Sequence, residues 1–112
     1  MKAAKEEAID IEVDLDEALN LVQKNLSKFV WLGRDTSFEL HEILKTSPEN
    51  VISLDPEEIL GMEPEEKKKL EGHILVCYHG NTSKALANIL KKSGGTNTYS
   101  LKGGITAITG EF

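Results

Sequence analysis

The chain of 112 residues is 39% hydrophobic and 29% charged, the balance of an ordinary globular protein, and its length supports one hydrophobic core but not two. Its formal net charge of −6 repels phosphate backbones and anionic lipid, which argues against nucleic-acid and membrane partners and leaves any anion chemistry to a local positive pocket. A single cysteine excludes an intrachain disulfide, no apolar run approaches the roughly 20 residues of a membrane span, and Met1-Lys-Ala-Ala-Lys-Glu-Glu lacks a secretory apolar region, so a soluble cytoplasmic chain is expected.

Residues 1–10 are rich in Lys, Glu and Ala without an apolar stripe and read as a flexible N-terminal arm, leaving 11–112 as one domain. From Asp14, a good N-cap, Leu15, Ala18, Leu19, Val22 and Leu26 recur at helical spacing and predict an amphipathic helix. Lys28-Phe-Val-Trp-Leu-Gly33 is a β-branched and aromatic run that predicts a buried strand and a turn, with Trp31 in the core and Arg34 and Asp35 at the strand's carboxyl end. Thr36 to Lys45 is a weaker helix candidate with Phe38, Leu40, Ile43 and Leu44 inward.

Val51-Ile-Ser-Leu54 is a further strand candidate, and Asp55-Pro-Glu-Glu58 starts a helix with an N-cap, proline at its first position and an acidic first turn. Glu63-Pro-Glu-Glu-Lys-Lys-Lys-Leu70 leads with glutamates and trails with lysines, as the helix dipole favours. His73-Ile-Leu-Val-Cys-Tyr78 is apolar on both faces, like a central strand of a parallel sheet. A helix is expected from about 81 to 92 with Ala85, Leu86, Ile89 and Leu90 as its buried stripe, stopped by Gly94 and Gly95. Asn97 to Leu101 is the last strand, Lys102-Gly103-Gly104 a turn, and Ile105 to Ile108 a closing helical turn. Strands alternating with helices imply an α/β fold, a small parallel sheet with helices on both faces, whose ligands sit beyond the carboxyl ends of the strands.

Cys77 falls at such an end. The loop Cys77-Tyr78-His79-Gly80-Asn81-Thr82-Ser83-Lys84 runs into a helix N-terminus, so its backbone N–H groups and the helix dipole favour a thiolate at Cys77. Gly80 lets the loop turn, while Asn81, Thr82 and Ser83 are candidates to cap the helix and to supply side-chain donors. From the residues alone, a nucleophile and a small buried core cysteine both stay open. His79 is either an anion holder when protonated or a solvated loop residue. Lys84 is a candidate source of positive charge or a plain surface lysine, and Arg34 a candidate anion binder or half of a structural ion pair with an acid such as Asp35. His41 and His73 lack partners at metal-ligand spacing, and no nucleotide-binding fingerprint occurs, so neither metal nor organic cofactor is indicated.

The run from Cys77 through Lys84, the helix Ala85-Leu-Ala-Asn-Ile-Leu-Lys-Lys92 and the segment Thr98-Tyr-Ser-Leu-Lys-Gly-Gly-Ile-Thr-Ala107 resemble the C-terminal half of the rhodanese family, and the loop is particularly similar to that of the small single-domain thiosulfate sulfurtransferases. The resemblance implies a rhodanese fold, a persulfide intermediate on Cys77, thiosulfate or a similar sulfane donor, and thiophilic acceptors such as cyanide or a thioredoxin-like dithiol. It also implies that Tyr78, His79, Gly80, Asn81, Thr82 and Ser83 form the persulfide-binding loop, and that Gly103-Gly104 contributes backbone to the pocket wall. The loop has the six-residue length of sulfur-handling relatives and lacks the arginine that closes the related seven-residue phosphatase loops, which argues against a phosphatase or arsenate reductase. Leu32 stands where many relatives carry aspartate, a Gly-His-Ile signature is absent, and Gly103-Gly104-Ile-Thr-Ala-Ile108 lacks the family's tryptophan. These departures motivate the alternative of a rhodanese-fold binding or redox-sensing module.

Overall fold

The computed structural model describes residues 11–24, 27–33 and 40–110. The expected arm, Leu26, Arg34, Asp35 and Phe38 lie outside the described residues. Five strands form one parallel sheet: β1 (Glu12–Val13), β2 (Phe29–Trp31), β3 (Val51–Ser53), β4 (Ile74–Val76) and β5 (Tyr99–Leu101), in the order β1-β5-β4-β2-β3. β4 is central, with Ile74, Leu75 and Val76 opposite Phe29, Val30 and Trp31 on one side and Ile74 and Leu75 opposite Tyr99 and Ser100 on the other.

Alternation along the strands packs the single sheet on both faces, so the one domain buries two apolar clusters where a single core was expected. Phe29, Trp31, Ile74 and Val76 point to one face, where they meet Ala18 and Val22 of α1 (Leu15–Gln23), Leu40 and Leu44 of α2 (Leu40–Leu44), and Ile105. Val30, Leu75 and Cys77 point to the other, against Ile59 of α3 (Pro56–Leu60) and Leu86, Ala87 and Leu90 of α5 (Asn81–Gly94). The short helix α4 (Pro64–Lys67) precedes β4, and α6 (Thr106–Thr109) closes the described chain.

Local chemistry explains the helix starts. Asp14 and Glu17 make a reciprocal capping box on α1, and Asp55 and Glu58 make another on α3 with Pro56 at its first position. α2 ends when Lys45 takes φ 59°, with Thr46 N–H bonded to the His41 carbonyl and Lys45 N–H to that of Glu42. This is the left-handed helix stop that glycine usually supplies.

One strand was not expected and two expectations are corrected. β1 has no local signal in Ile11-Glu-Val13, because two residues pairing only with β5 define it through a neighbour some ninety positions away in sequence. The buried stripe of α5 is Ser83, Leu86, Ala87 and Leu90, whereas Ala85 is exposed and Ile89 is 44% exposed. With Ser83 fixed toward Cys77, positions three, four and seven further on face the sheet, which turns 85 and 89 outward. Finally, none of Asn81, Thr82 and Ser83 caps α5: its N-cap is Gly80 at φ 90°, and Asn81 is already its first residue. Among the described residues no helix is long and apolar enough to cross a membrane.

Candidate active site

β4 ends at Val76, and the chain then curls so that the N-terminus of the 14-residue helix α5 faces the Cys77 sulfur. Gly80 N–H donates to Cys77 Sγ at 3.1 Å and Ser83 N–H donates to it at 3.3 Å. Ser83 Oγ stands 3.4 Å from the same sulfur. A protonated Cys77 donates to that hydroxyl oxygen. A thiolate accepts from it, bringing three donors to one negative sulfur at the positive end of a helix. Cys77 as a whole is 6% exposed and borders a cavity on the surface.

That cavity has a volume of about 250 Å³ and is lined by Leu32, Gly33, Tyr78, His79, Asn81, Thr82 and Cys77 itself. Tyr78 is steadied by Trp31, which meets its ring edge to face with centroids 5.1 Å apart and planes at 77°. From below, the loop is stapled to the turn after β5: Ile105 N–H donates to the Cys77 carbonyl and Thr106 N–H to that of Tyr78, both at 3.1 Å. Gly104 permits this approach. At φ 62°, a Cβ there would lie 2.4 Å from the Cys77 carbonyl oxygen and 2.5 Å from that of Tyr78.

The rhodanese-like domain model matches residues 34–111, more than half of the chain and the stretch that holds this loop. The chain belongs to the rhodanese-like domain family. Solved structures carry the same fold. A rhodanese-related protein from Thermoplasma volcanium superposes with a TM-score of 0.61 at 18% identity, over 88% of this chain and 90% of its own. A Bacillus halodurans protein gives 0.61 at 18% identity, over 97% of this chain and 78% of its own. A NAD-dependent persulfide reductase from A. fulgidus gives 0.52 at 22% identity, over 70% of this chain but 13% of its own, so the rhodanese-like chain corresponds to a small part of that protein. No curated protein matches the sequence.

Around Cys77 the loop residues separate into two groups. Gly80 and Ser83 are buried around the sulfur, whereas His79, Asn81 and Thr82 are exposed on the cavity rim with Tyr78 half-buried beside them. Lys84 turns elsewhere: its ammonium lies 3.6 Å from Glu12 Oε1 on the edge strand, and its side chain is 54% exposed. Arg34 is outside the described residues. Gly103-Gly104, first read as a turn, also packs its backbone against the Cys77 loop.

Sequence reasoning missed one participant. Ser100, in the middle of β5, is fully buried with its Oγ 2.7 Å from Ser83 Oγ. The one signal for it was a small polar residue between Tyr99 and Leu101 in a strand otherwise fit for the core, and nothing in the sequence said which loop it would meet.

Proposed function

We infer that the protein is a sulfurtransferase that carries sulfane sulfur as a persulfide on Cys77. The observation that carries this reading is the convergence of Gly80 N–H, Ser83 N–H and the Ser83 hydroxyl on the sulfur of a cysteine that borders a small cavity. Membership in the rhodanese-like family adds support, as does likeness to a region of a persulfide reductase.

In the first half-reaction the Cys77 thiolate attacks the outer sulfur of thiosulfate or a similar donor. The new Sγ–S bond forms as the donor's S–S bond breaks, and sulfite leaves with the bonding pair. The loop donors and the α5 dipole stabilise the negative charge before and after attack, with little reorganisation because the backbone is already fixed. In the second half-reaction an acceptor such as cyanide or a dithiol thiolate bonds to the outer sulfur. The Sγ–S bond then breaks with its electron pair returning to Sγ, and the helix N-terminus receives that charge again. A cavity of about 250 Å³ suits a small sulfur anion or the end of a thiol side chain.

Intact-protein mass spectrometry before and after incubation with thiosulfate, on the wild type and Cys77→Ser, tests the reading. A gain of one sulfur that cyanide or reductant removes, absent from the variant, is the expected result. No gain with several sulfane donors, in folded protein with a free thiol, overturns it in favour of a redox-sensing or docking role.

A further inference from the structure

The hydroxyls of Ser83 and Ser100 are both fully buried and lie 2.7 Å apart, on different elements that the fold brings together behind the cysteine. Each hydroxyl has one hydrogen to give. Ser83 Oγ has three neighbours within bonding distance: Cys77 Sγ at 3.4 Å, the Gly80 carbonyl at 3.3 Å and Ser100 Oγ. Among the described residues Ser100 Oγ has one, which is Ser83 Oγ. If Ser83 donated to Ser100, the Ser100 hydrogen would be buried without an acceptor, which is costly. The arrangement that pairs every hydrogen therefore has Ser100 donating and Ser83 accepting.

This direction leaves the Ser83 hydrogen free to follow the charge on the sulfur. With a protonated thiol, Cys77 donates to Ser83 Oγ and the Ser83 hydrogen goes to the Gly80 carbonyl. With a thiolate, the Ser83 hydrogen rotates to Sγ. Ser100 holds the oxygen in place in both states and polarises its O–H in the second.

We propose that Ser100 is a positioning residue which, through Ser83, commits a hydroxyl hydrogen to Cys77 Sγ whenever that sulfur is a thiolate. The proposal deepens the sulfurtransferase reading and rests on Cys77 acting as a nucleophile. The thiolate is both the attacking group of the first half-reaction and the leaving group of the second, so the Ser100–Ser83 pair assists both.

The test is the pH profile of Cys77 alkylation by iodoacetamide, which reads the thiolate of the chain's single cysteine without needing a sulfur donor. Ser100→Ala is expected to slow alkylation about five-fold on the low-pH limb and to displace the profile to higher pH, with the high-pH plateau within about two-fold of wild type. Ser83→Ala is expected to do the same to a larger extent. The double variant should match Ser83→Ala, because the effect of Ser100 passes through Ser83. Should Ser100→Ala fold poorly, the near-isosteric pair Ser100→Thr and Ser100→Val carries the same comparison, since only the first retains a hydroxyl.

An unmoved profile in Ser100→Ala, an equal slowing at all pH values, or a full additional effect in the double variant overturns the proposal. If the wild type takes up sulfur while Ser100→Ala leaves the profile unmoved, the proposal fails and the sulfurtransferase reading stands. A displaced profile in a protein that takes up no sulfur removes that reading and supports the hydroxyl pair.

Discussion

Beyond the carboxyl end of β4, the buried hydroxyls of Ser83 on α5 and Ser100 on β5 bond each other, and that of Ser83 reaches Cys77 Sγ. At the amino ends of the same two strands, Thr96 Oγ1, Thr98 Oγ1 and His73 Nδ1 are buried with no hydrogen-bond partner among the described residues. Burying a hydroxyl without a partner costs about 1–3 kcal/mol. Among these side chains the partnered ones lie at the end that holds Cys77, whereas at the amino end Ser27 Oγ finds a backbone partner in the Gly72 carbonyl. The unpartnered hydroxyls of Thr96 and Thr98 are therefore expected to be dispensable for the fold, unlike the paired ones beside Cys77.

The largest expected effect breaks the carboxyl end. Gly104→Ala forces a Cβ into the carbonyls of Cys77 and Tyr78 and strains a left-handed residue, so it should destabilise the fold by on the order of 3 kcal/mol in urea titrations and abolish sulfur loading. An unchanged urea midpoint would show that the Gly-Gly turn does not clamp the loop.

The amino end should respond with the opposite sign. Thr98→Val removes an unpartnered hydroxyl and is expected to stabilise by about 1 kcal/mol or to be neutral, with sulfur loading and the alkylation profile unchanged. Destabilisation beyond about 1 kcal/mol would erase the distinction between the two ends.

Lys45, where α2 hands over to the segment leading into β3, pays the left-handed backbone cost at φ 59°. Lys45→Gly should raise stability by about 1 kcal/mol, less the added freedom of the unfolded chain, and calorimetry would read it as a modest rise in Tm.

The smallest effect concerns pH. Burial holds the His73 imidazole below its ordinary value of 6.5, and the Lys28 ammonium pushes in the same direction. The unfolded chain therefore binds a proton at His73 at higher pH than the folded one does. The contribution of the neutral ring is fully present above 6.5 and declines as pH falls below it. Between about pH 7 and 5.5, His73→Gln should lose less stability than the wild type, measured as the shift of the urea midpoint. Equal losses would mean that other groups set the acid limb.

Much of this architecture was legible because its causes are local. The Asp14 and Asp55 helix starts follow from capping within three residues, and the apolar run Ile74-Leu-Val marks a strand covered on both faces. Cys77 stood out because a strand end, a glycine and a helix start lie within a few positions of it. Ser83 was legible as a loop donor, although the expectation that Asn81, Thr82 or Ser83 would cap α5 failed. Gly80 at φ 90° swings the chain so that the N–H groups of Gly80 and Ser83 are met by the Cys77 sulfur and not by a capping side chain of 81–83.

The chain by itself determined the α/β alternation and the cysteine loop between strand and helix, since periodicity, capping and turn chemistry act over distances of one to four residues. Tertiary structure alone decided that β1 exists, that 83, 86, 87 and 90 are the inner positions of α5, that Lys84 pairs with Glu12, and that Ser100 lies behind Ser83. Each of these depends on which distant segments the sheet order β1-β5-β4-β2-β3 makes neighbours, a relation that short-range patterns do not encode.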